Sequence, residues 1–313
     1  MKISKEIQQK LLCPSTKGKL KQNGDYLESV INPDIHYPII DGIPILIDNE
    51  KSIFSIDDFV KRKNTTFDLK ENNLKKLVRL SIPKISNNTK AKENYDKLLS
   101  LLPANSKILV IGGSIKGEGM DSLYSNESFE IVGSDVSFGP YAKIISDAHD
   151  LPFEDETFDC VIIQAVLEHV LEPQHCVSEV RRVLRPSGIV YAETPFMQQV
   201  HMKQYDFTRF THLGHRRLFR YFEEIKSGPN CGPGMALAWS YTYFLRSFAT
   251  SKAMVRLLTV FAHTTSFFFK YFDYYLIDKP GSYDAASGYF FMGKKTNDPL
   301  TDKELITQFR GVK

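Results

Sequence analysis

The sequence predicts an α/β protein built on a parallel, doubly wound sheet. Two observations carry that expectation. Between 107 and 193, short β-branched apolar runs alternate with helix-length segments, as a parallel sheet with crossover helices requires. The first run, Lys107-Ile108-Leu109-Val110-Ile111, flows into Gly112-Gly113-Ser114-Ile115-Lys116-Gly117-Glu118-Gly119. A strand that ends in glycines can turn tightly and bring backbone N–H groups close to a ligand.

Composition sets the outer limits. The chain has 313 residues, 42% hydrophobic and 25% charged, enough for two domains or one enlarged domain with an ample core. Net charge is +3, yet between His201 and Lys270 ten Lys/Arg stand against three Asp/Glu, which predicts a local basic surface. The four cysteines, Cys13, Cys160, Cys176 and Cys231, form no CxxC pair, so a reducing, cytoplasmic setting is expected. Met1 to Gln9 is polar and charged, and no signal peptide is expected from it.

Taken in order, residues 1–50 read as a small β-rich module. Asn23-Gly24-Asp25 and Asp41-Gly42 mark its hairpin turns. Residues 51–88 are charged and Asn-rich, with Pro83 and Ser86-Asn87-Asn88 as breakers, and read as a linker with short helices. An amphipathic helix over 89–102 follows, with Tyr95, Leu98, Leu99 and Leu102 on one face, and Pro103 stops it. After the glycine loop, Glu130 to Asp135 is a second strand ending in an acid, placed where it can accept the hydroxyls of a ribose. Ile144-Ile145-Ser146-Asp147-Ala148 ends a third strand, and Phe158 to Gln164 forms a fourth. A helix over 173–184 and the Arg185-Pro186-Ser187-Gly188 turn lead into a fifth, Ile189 to Glu193.

Several motifs in fixed order give this pattern an identity: Asp147-Ala148, Leu151-Pro152-Phe153, Phe158-Asp159, Leu167-Glu168-His169-Val170 and Leu184-Arg185-Pro186-Ser187-Gly188. Together they resemble class I S-adenosylmethionine-dependent methyltransferases of type 11, with a Rossmann-like sheet. The resemblance assigns the methionine part of S-adenosyl-L-methionine to Gly112, Gly113, Ser114 and Gly117. It assigns the ribose to Asp135 and the adenine to Asp147 and Ala148, and puts Gln164 beside the cofactor. For a hydroxyl acceptor, His169 is the leading candidate to take the proton, since the loop after the fourth strand opens toward the ligand at the switch point of such sheets; backbone anchoring of the loop is the competing role for this residue. Two departures are plain: Val110 stands where the family has an acid in the first strand, and the loop reads Gly-Gly-Ser-Ile-Lys-Gly. A nicotinamide-dependent oxidoreductase would share the ribose-binding acid, but the chain lacks G-x-G-x-x-G.

The opening module resembles the zinc-ribbon-like module of tRNA-methyltransferase activators through Leu11-Leu12-Cys13-Pro14 and Tyr37-Pro38-Ile39-Ile40-Asp41-Gly42-Ile43-Pro44. Thr16 replaces the second cysteine, and Val30 and Pro33 stand where a second pair would. One cysteine cannot supply a four-ligand zinc site. A metal-free module is expected, and no metal ligands are assigned anywhere in the chain.

The expected core spans 89–195, returns as a last strand within 280–296, and leaves a tail at 297–313. Residues 196–279 are expected to form a helical insertion that binds substrate, since loops at strand ends carry specificity. His201, Tyr205, Arg209 and His212 are its candidate substrate contacts, His201 and His212 being further candidates for the base. With Gly228-Pro229 and Gly232-Pro233-Gly234, this part resembles methyltransferases associated with bacterial glycan synthesis, which implies O-methylation of a glycan-related or other small acceptor. No nucleic-acid partner is expected. In 239–277, Met254, Leu257, Leu258, Phe261, Phe268, Phe269, Phe272 and Leu276 fall near helical spacing. They read first as a core-packing helix and second as a helix on the inner face of a membrane; the uncharged run is short of the ~20 residues of a span. A non-catalytic member of the fold is the alternative function, and the oligomeric state is left open.

Overall fold

The computed structural model describes residues 1–63, 65 and 82–312. After α1 (Lys5–Gln9), capped by the Ser4 hydroxyl, four strands form an antiparallel meander: β1 (Leu20–Asn23), β2 (Tyr26–Ser29), β3 (His36–Ile40) and β4 (Ile43–Leu46). Asp41 and Gly42 both take positive φ, 53° and 76°, as a two-residue hairpin turn demands. The meander is not set apart from the rest. β4 pairs in parallel with a central strand, and Leu11, Cys13, Leu27 and Tyr37 enter the main core. Where zinc ligands would lie, hydrogen bonds join the chain: Cys13 Sγ lies 3.4 Å from the Tyr37 hydroxyl, and Thr16 Oγ1 3.1 Å from Ser29 Oγ.

Of the expected linker, α2 (Ile56–Val60) is described; the short helices expected over 66–81 lie outside the described residues. The central region then runs α3 (Ala91–Ser100), β5 (Lys107–Ile111), α4 (Asp121–Tyr124), β6 (Glu130–Asp135), β7 (Ala142–Ser146), β8 (Phe158–Gln164), α5 (Pro173–Val183) and β9 (Leu184–Pro195). It continues through α6 (His212–Leu218), β10 (Phe222–Cys231), α7 (Pro233–Arg246), α8 (Lys252–Ser266) and α9 (Phe269–Leu276). α10 (Pro280–Ala285), β11 (Gly288–Lys295) and α11 (Asp302–Thr307) complete it. All the described strands join one sheet, ordered β1-β2-β3-β4-β7-β6-β5-β8-β9-β11-β10. The segment β7-β6-β5-β8-β9 is parallel, and β11 runs antiparallel between β9 and β10.

β5 shows why its sequence makes a central strand. Alternate residues feed opposite layers: Leu109 and Ile111 pack with Phe158, Val161 and Val180, whereas Ile108 and Val110 pack with Tyr95, Leu98 and Met120. A strand covered on both faces needs the unbroken apolar run seen here.

Two expectations for 196–279 are corrected. The segment is not wholly helical, because β10 lies within it and forms the sheet's edge. Its charged first half hides the strand, and an edge tolerates Pro229. Nor does the aromatic stretch pack into a core. Leu257, Phe261, Phe268 and Phe272 are exposed, and of α8 and α9 only Ala262, Ser266 and Asp273 are buried.

Candidate functional site

A cavity of about 450 Å³ opens at the C-terminal ends of β5, β6, β8 and β9, where open α/β sheets bind ligands. Its floor follows from the turn after β5. Gly112 adopts φ +73°, and a Cβ there would run into Val166. At Gly117 a Cβ would strike the Gln164 amide. Both glycines line the cavity; Gly113 and Ser114 do not. Gly113 presses on the Val110 carbonyl and β6, while the Ser114 N–H donates to Asp135 at 2.9 Å. These two residues shape the loop from behind.

Asp135, at the tip of β6, is 6% exposed and lines the cavity. Burial pushes its carboxyl up, against the pull of N–H donors from Ser114, Val136 and Ser137. Asp147 and Ala148 form the next part of the wall. The Asp147 carboxylate accepts from Ser52 Oγ at 2.5 Å and bonds His149 Nδ1 at 2.7 Å, so it fixes the wall before any ligand arrives. Gln164 bridges Glu118 and Glu193: its amide donates to the Glu118 carbonyl at 3.2 Å and to Glu193 Oε2 at 2.9 Å.

Of the lining residues that were not among the sequence candidates, four bear on the site. Ile53 and Phe54 come from the segment after the meander, which the sequence gives no reason to fold over the cavity. Glu193 is buried at the cavity wall with a carboxyl raised by desolvation, and the Tyr191 hydroxyl, Gln164 and Asn88 all donate to it. Asn88 lines the cavity beside it. An acid closing an otherwise apolar strand, Ile189 to Glu193, is the signal that marks Glu193.

The far wall holds His169, His201, Met202 and Tyr205. A residue at φ +54°, Ala165, swings the chain from β8 into this wall, a strained conformation of the kind that clusters at functional sites. His169 Nδ1 lies 2.6 Å from the Tyr205 carbonyl. Because a carbonyl only accepts, Nδ1 carries the proton and Nε2 is left with its lone pair. Burial, then the neighbouring His201, lowers the His169 pKa to about 4. Beneath it Glu168 is 1% exposed, and burial raises its carboxyl to about 8. Two substrate candidates are corrected here. Arg209 is committed to Asp206 and to the carbonyls of Gln198, Thr208 and Gln199. His212 is buried between Tyr283 and Tyr289, 3.3 Å from Ser227 Oγ. Neither lines the cavity.

A glycine turn after the first parallel strand, an acid after the second and an antiparallel final hairpin define the class I methyltransferase type of α/β fold. Residues 113–192 match the family model described as "Methyltransferase domain". A 92-residue stretch is 34% identical to the ubiquinone/menaquinone biosynthesis C-methyltransferase of Saccharophagus degradans, covering 27% of this chain and 37% of that one. A 47-residue stretch is 47% identical to a UPF0434 protein of Yersinia enterocolitica, covering 15% of this chain and 78% of that one. Phosphoethanolamine N-methyltransferase 2 of Haemonchus contortus, solved with S-adenosyl-L-methionine, aligns with TM-score 0.45 and 16% identity over 79% of this chain and 61% of its own. The chain spans 13–37% of the length of the first curated relatives it matches. The chain thus carries a methyltransferase domain at residues 113–192 and, beside it, a stretch that matches the UPF0434 family. No described helix is long and apolar enough to cross a membrane.

Proposed function

We propose that the protein transfers a methyl group from S-adenosyl-L-methionine to an oxygen of a small or glycan-type acceptor. The observation that carries this reading is Asp135, a buried carboxylate on the cavity wall beside a turn where a Cβ at Gly112 would collide with Val166. A ribose fits that acid, and the close backbone fits the chain that continues from it. Gly112, Gly117 and Gln164 would hold the methionine part, with Asp147 and Ala148 against the base and Gly113 and Ser114 supporting the turn. Glu193 supplies the negative charge that Val110 does not.

When bound, S-adenosyl-L-methionine supplies a methyl already activated on a sulfonium. What remains for the protein is alignment of the acceptor and exclusion of water. Ile53, Phe54, Met202 and Tyr205 line the cavity together, with the Phe54 and Tyr205 rings 5.8 Å apart. His169 lines the acceptor end, neutral at pH 7, and His201 stands 4.9 Å away, ring to ring. We also place the helical segment over this end against an anionic membrane surface. α7 packs on the loop that carries His201, through Tyr243 on the Val200 carbonyl and Gln199 on Ser240.

Asp135→Ala should weaken S-adenosyl-L-methionine binding by about 1.5–3 kcal/mol, the range of hydrogen bonds to a charged group. Titration calorimetry on both proteins decides it. Equal affinities would remove Asp135 from the site, and absence of binding by the wild type would favour a non-catalytic member of the fold.

A further inference from the structure

Beneath the acceptor wall, Glu168 is 1% exposed and neither of its carboxylate oxygens has a hydrogen-bond partner. Native interiors rarely leave such a group bare. Two imidazoles face it. His169 Nε2 lies 3.6 Å from Glu168 Oε1, and His201 Nε2 lies 3.9 Å from the same oxygen. Both separations are too long for hydrogen bonds. They are close to the spacing of neighbouring ligands around one ion, roughly 3.4 Å for tetrahedral ligands at ~2.1 Å from the metal.

The proton positions agree. His169 Nδ1 is spent on the Tyr205 carbonyl. His201 Nδ1 lies 3.3 Å from the Gln199 carbonyl and 3.4 Å from Asp206 Oδ2, both acceptors only. Each ring therefore turns its N–H outward and its Nε2 lone pair inward, toward an unpartnered carboxylate. Outer hydrogen bonds from ligating histidines to carbonyl or carboxylate are what orient imidazoles on metals. Asp206 is itself held by Arg209 and accepts the His201 backbone N–H at 2.8 Å, so it anchors the His201 side of the trio from outside. Among the described residues, this trio is the one group of His, Cys, Asp and Glu with ligand atoms all within 4.8 Å of one another.

We propose that Glu168, His169 and His201 bind a divalent transition-metal ion, with open positions toward the cavity that accept an oxygen of the acceptor. Two imidazoles and one carboxylate suit ions of the zinc, cobalt and iron(II) class. The second half of the proposal rests on the methyl-transfer reading, and assigns His169 to the acceptor through the ion instead of as a free base. Metal binding stands without that reading. Asp206 and Arg209 act as positioning residues.

The test uses Co²⁺ alone, added to chelator-stripped full-length protein without cofactor. The expected result is one equivalent bound, with visible d–d absorption. His201→Ala and Glu168→Gln should bind at least 10-fold more weakly, and Asp206→Asn 10- to 100-fold more weakly. Retained S-adenosyl-L-methionine affinity in each variant shows that its sheet is folded. Acetohydroxamate, a bidentate oxygen chelator, should perturb the Co²⁺ bands if open positions face the cavity. No Co²⁺ uptake by the wild type, or equal uptake by the variants, overturns the metal site in favour of a protonated Glu168. A spectrum indifferent to acetohydroxamate overturns the acceptor half. Co²⁺ uptake by a protein that fails to bind cofactor would leave the metal site standing and sink the methyl-transfer reading instead.

Discussion

Val110 occupies the position in β5 where the family resemblance puts an acid, and it packs with Tyr95, Leu98 and Met120 at the edge of the cavity. An acid at this point would be buried among apolar groups, at a cost that requires a partner. Glu193 stands two strands away at the same end of the sheet, paired across from Gln164. Three donors already hold its carboxylate in place. If it answers the ammonium of the methionine part, Glu193→Gln should weaken S-adenosyl-L-methionine by roughly 10-fold or more, the lower end for a charged hydrogen bond. Methylthioadenosine, which has no amino-acid end, should bind both proteins alike. Equal losses for the two ligands would mean that Glu193 only supports the cavity wall. At this scale the residues that the sequence singles out by chemistry and chain order, Gly112, Asp135, Asp147 and His169, come together on one cavity. The sequence was misleading for Arg209 and His212, whose side chains are polar because neighbouring residues need bonds, and nothing local in a sequence distinguishes those uses.

Among the elements, α9 illustrates a join made by one polar residue. Asp273 is fully buried, and its carboxylate accepts N–H groups from Gly234 at 2.7 Å and Met235 at 2.9 Å. These are orphan donors of the first turn of α7, where negative charge is favoured. Gly232 and Gly234 leave the room it needs, since a Cβ on either would meet Asp273. Asp273→Ala should therefore cost about 1–3 kcal/mol in urea unfolding by stranding those donors, and should raise hydrogen exchange at Gly234 and Met235. An unchanged midpoint would show that apolar packing alone docks α9. The alternating strands and helices of 107–193 were readable because burial on both faces enforces continuous apolar runs. β10 escaped notice, because an edge strand can carry Glu223, Glu224 and Lys226, the last two held by ion pairs to Arg216, Arg310 and Glu93, and still pair with β11. The docking of α9 was equally hidden: an aspartate within an aromatic run looks like a surface break until the helix it caps is in place.

Across the whole molecule, the meander, the parallel core and the terminal hairpin form one continuous sheet, and the helices α7 to α9 stand out from it with their apolar side chains turned outward. Phe244, Phe248, Leu257, Phe261, Tyr271 and Tyr275 are between 52% and 71% exposed, and large apolar side chains exposed together on one helical segment mark an interaction surface. Lys252, Arg256 and Lys279 are exposed around it, while the acids of the same segment are spent, Asp273 inside and Asp278 on Lys90. Apolar side chains ringed by positive charge match an anionic bilayer surface in both respects. The protein should therefore pellet with vesicles of phosphatidylglycerol and phosphatidylcholine at low salt, and salt should release part of it. Each basic residue near the surface contributes about 1 kcal/mol, so Lys252→Gln with Arg256→Gln should weaken binding by about 2 kcal/mol, roughly 30-fold. Phe261→Ser with Tyr275→Ser should abolish the portion that salt does not release. Failure to pellet at low salt, or pelleting unaffected by either pair of substitutions, would reject the membrane. A concentration-dependent dimer in sedimentation equilibrium, lost on Phe261→Ser, would assign the same face to a second copy of the chain.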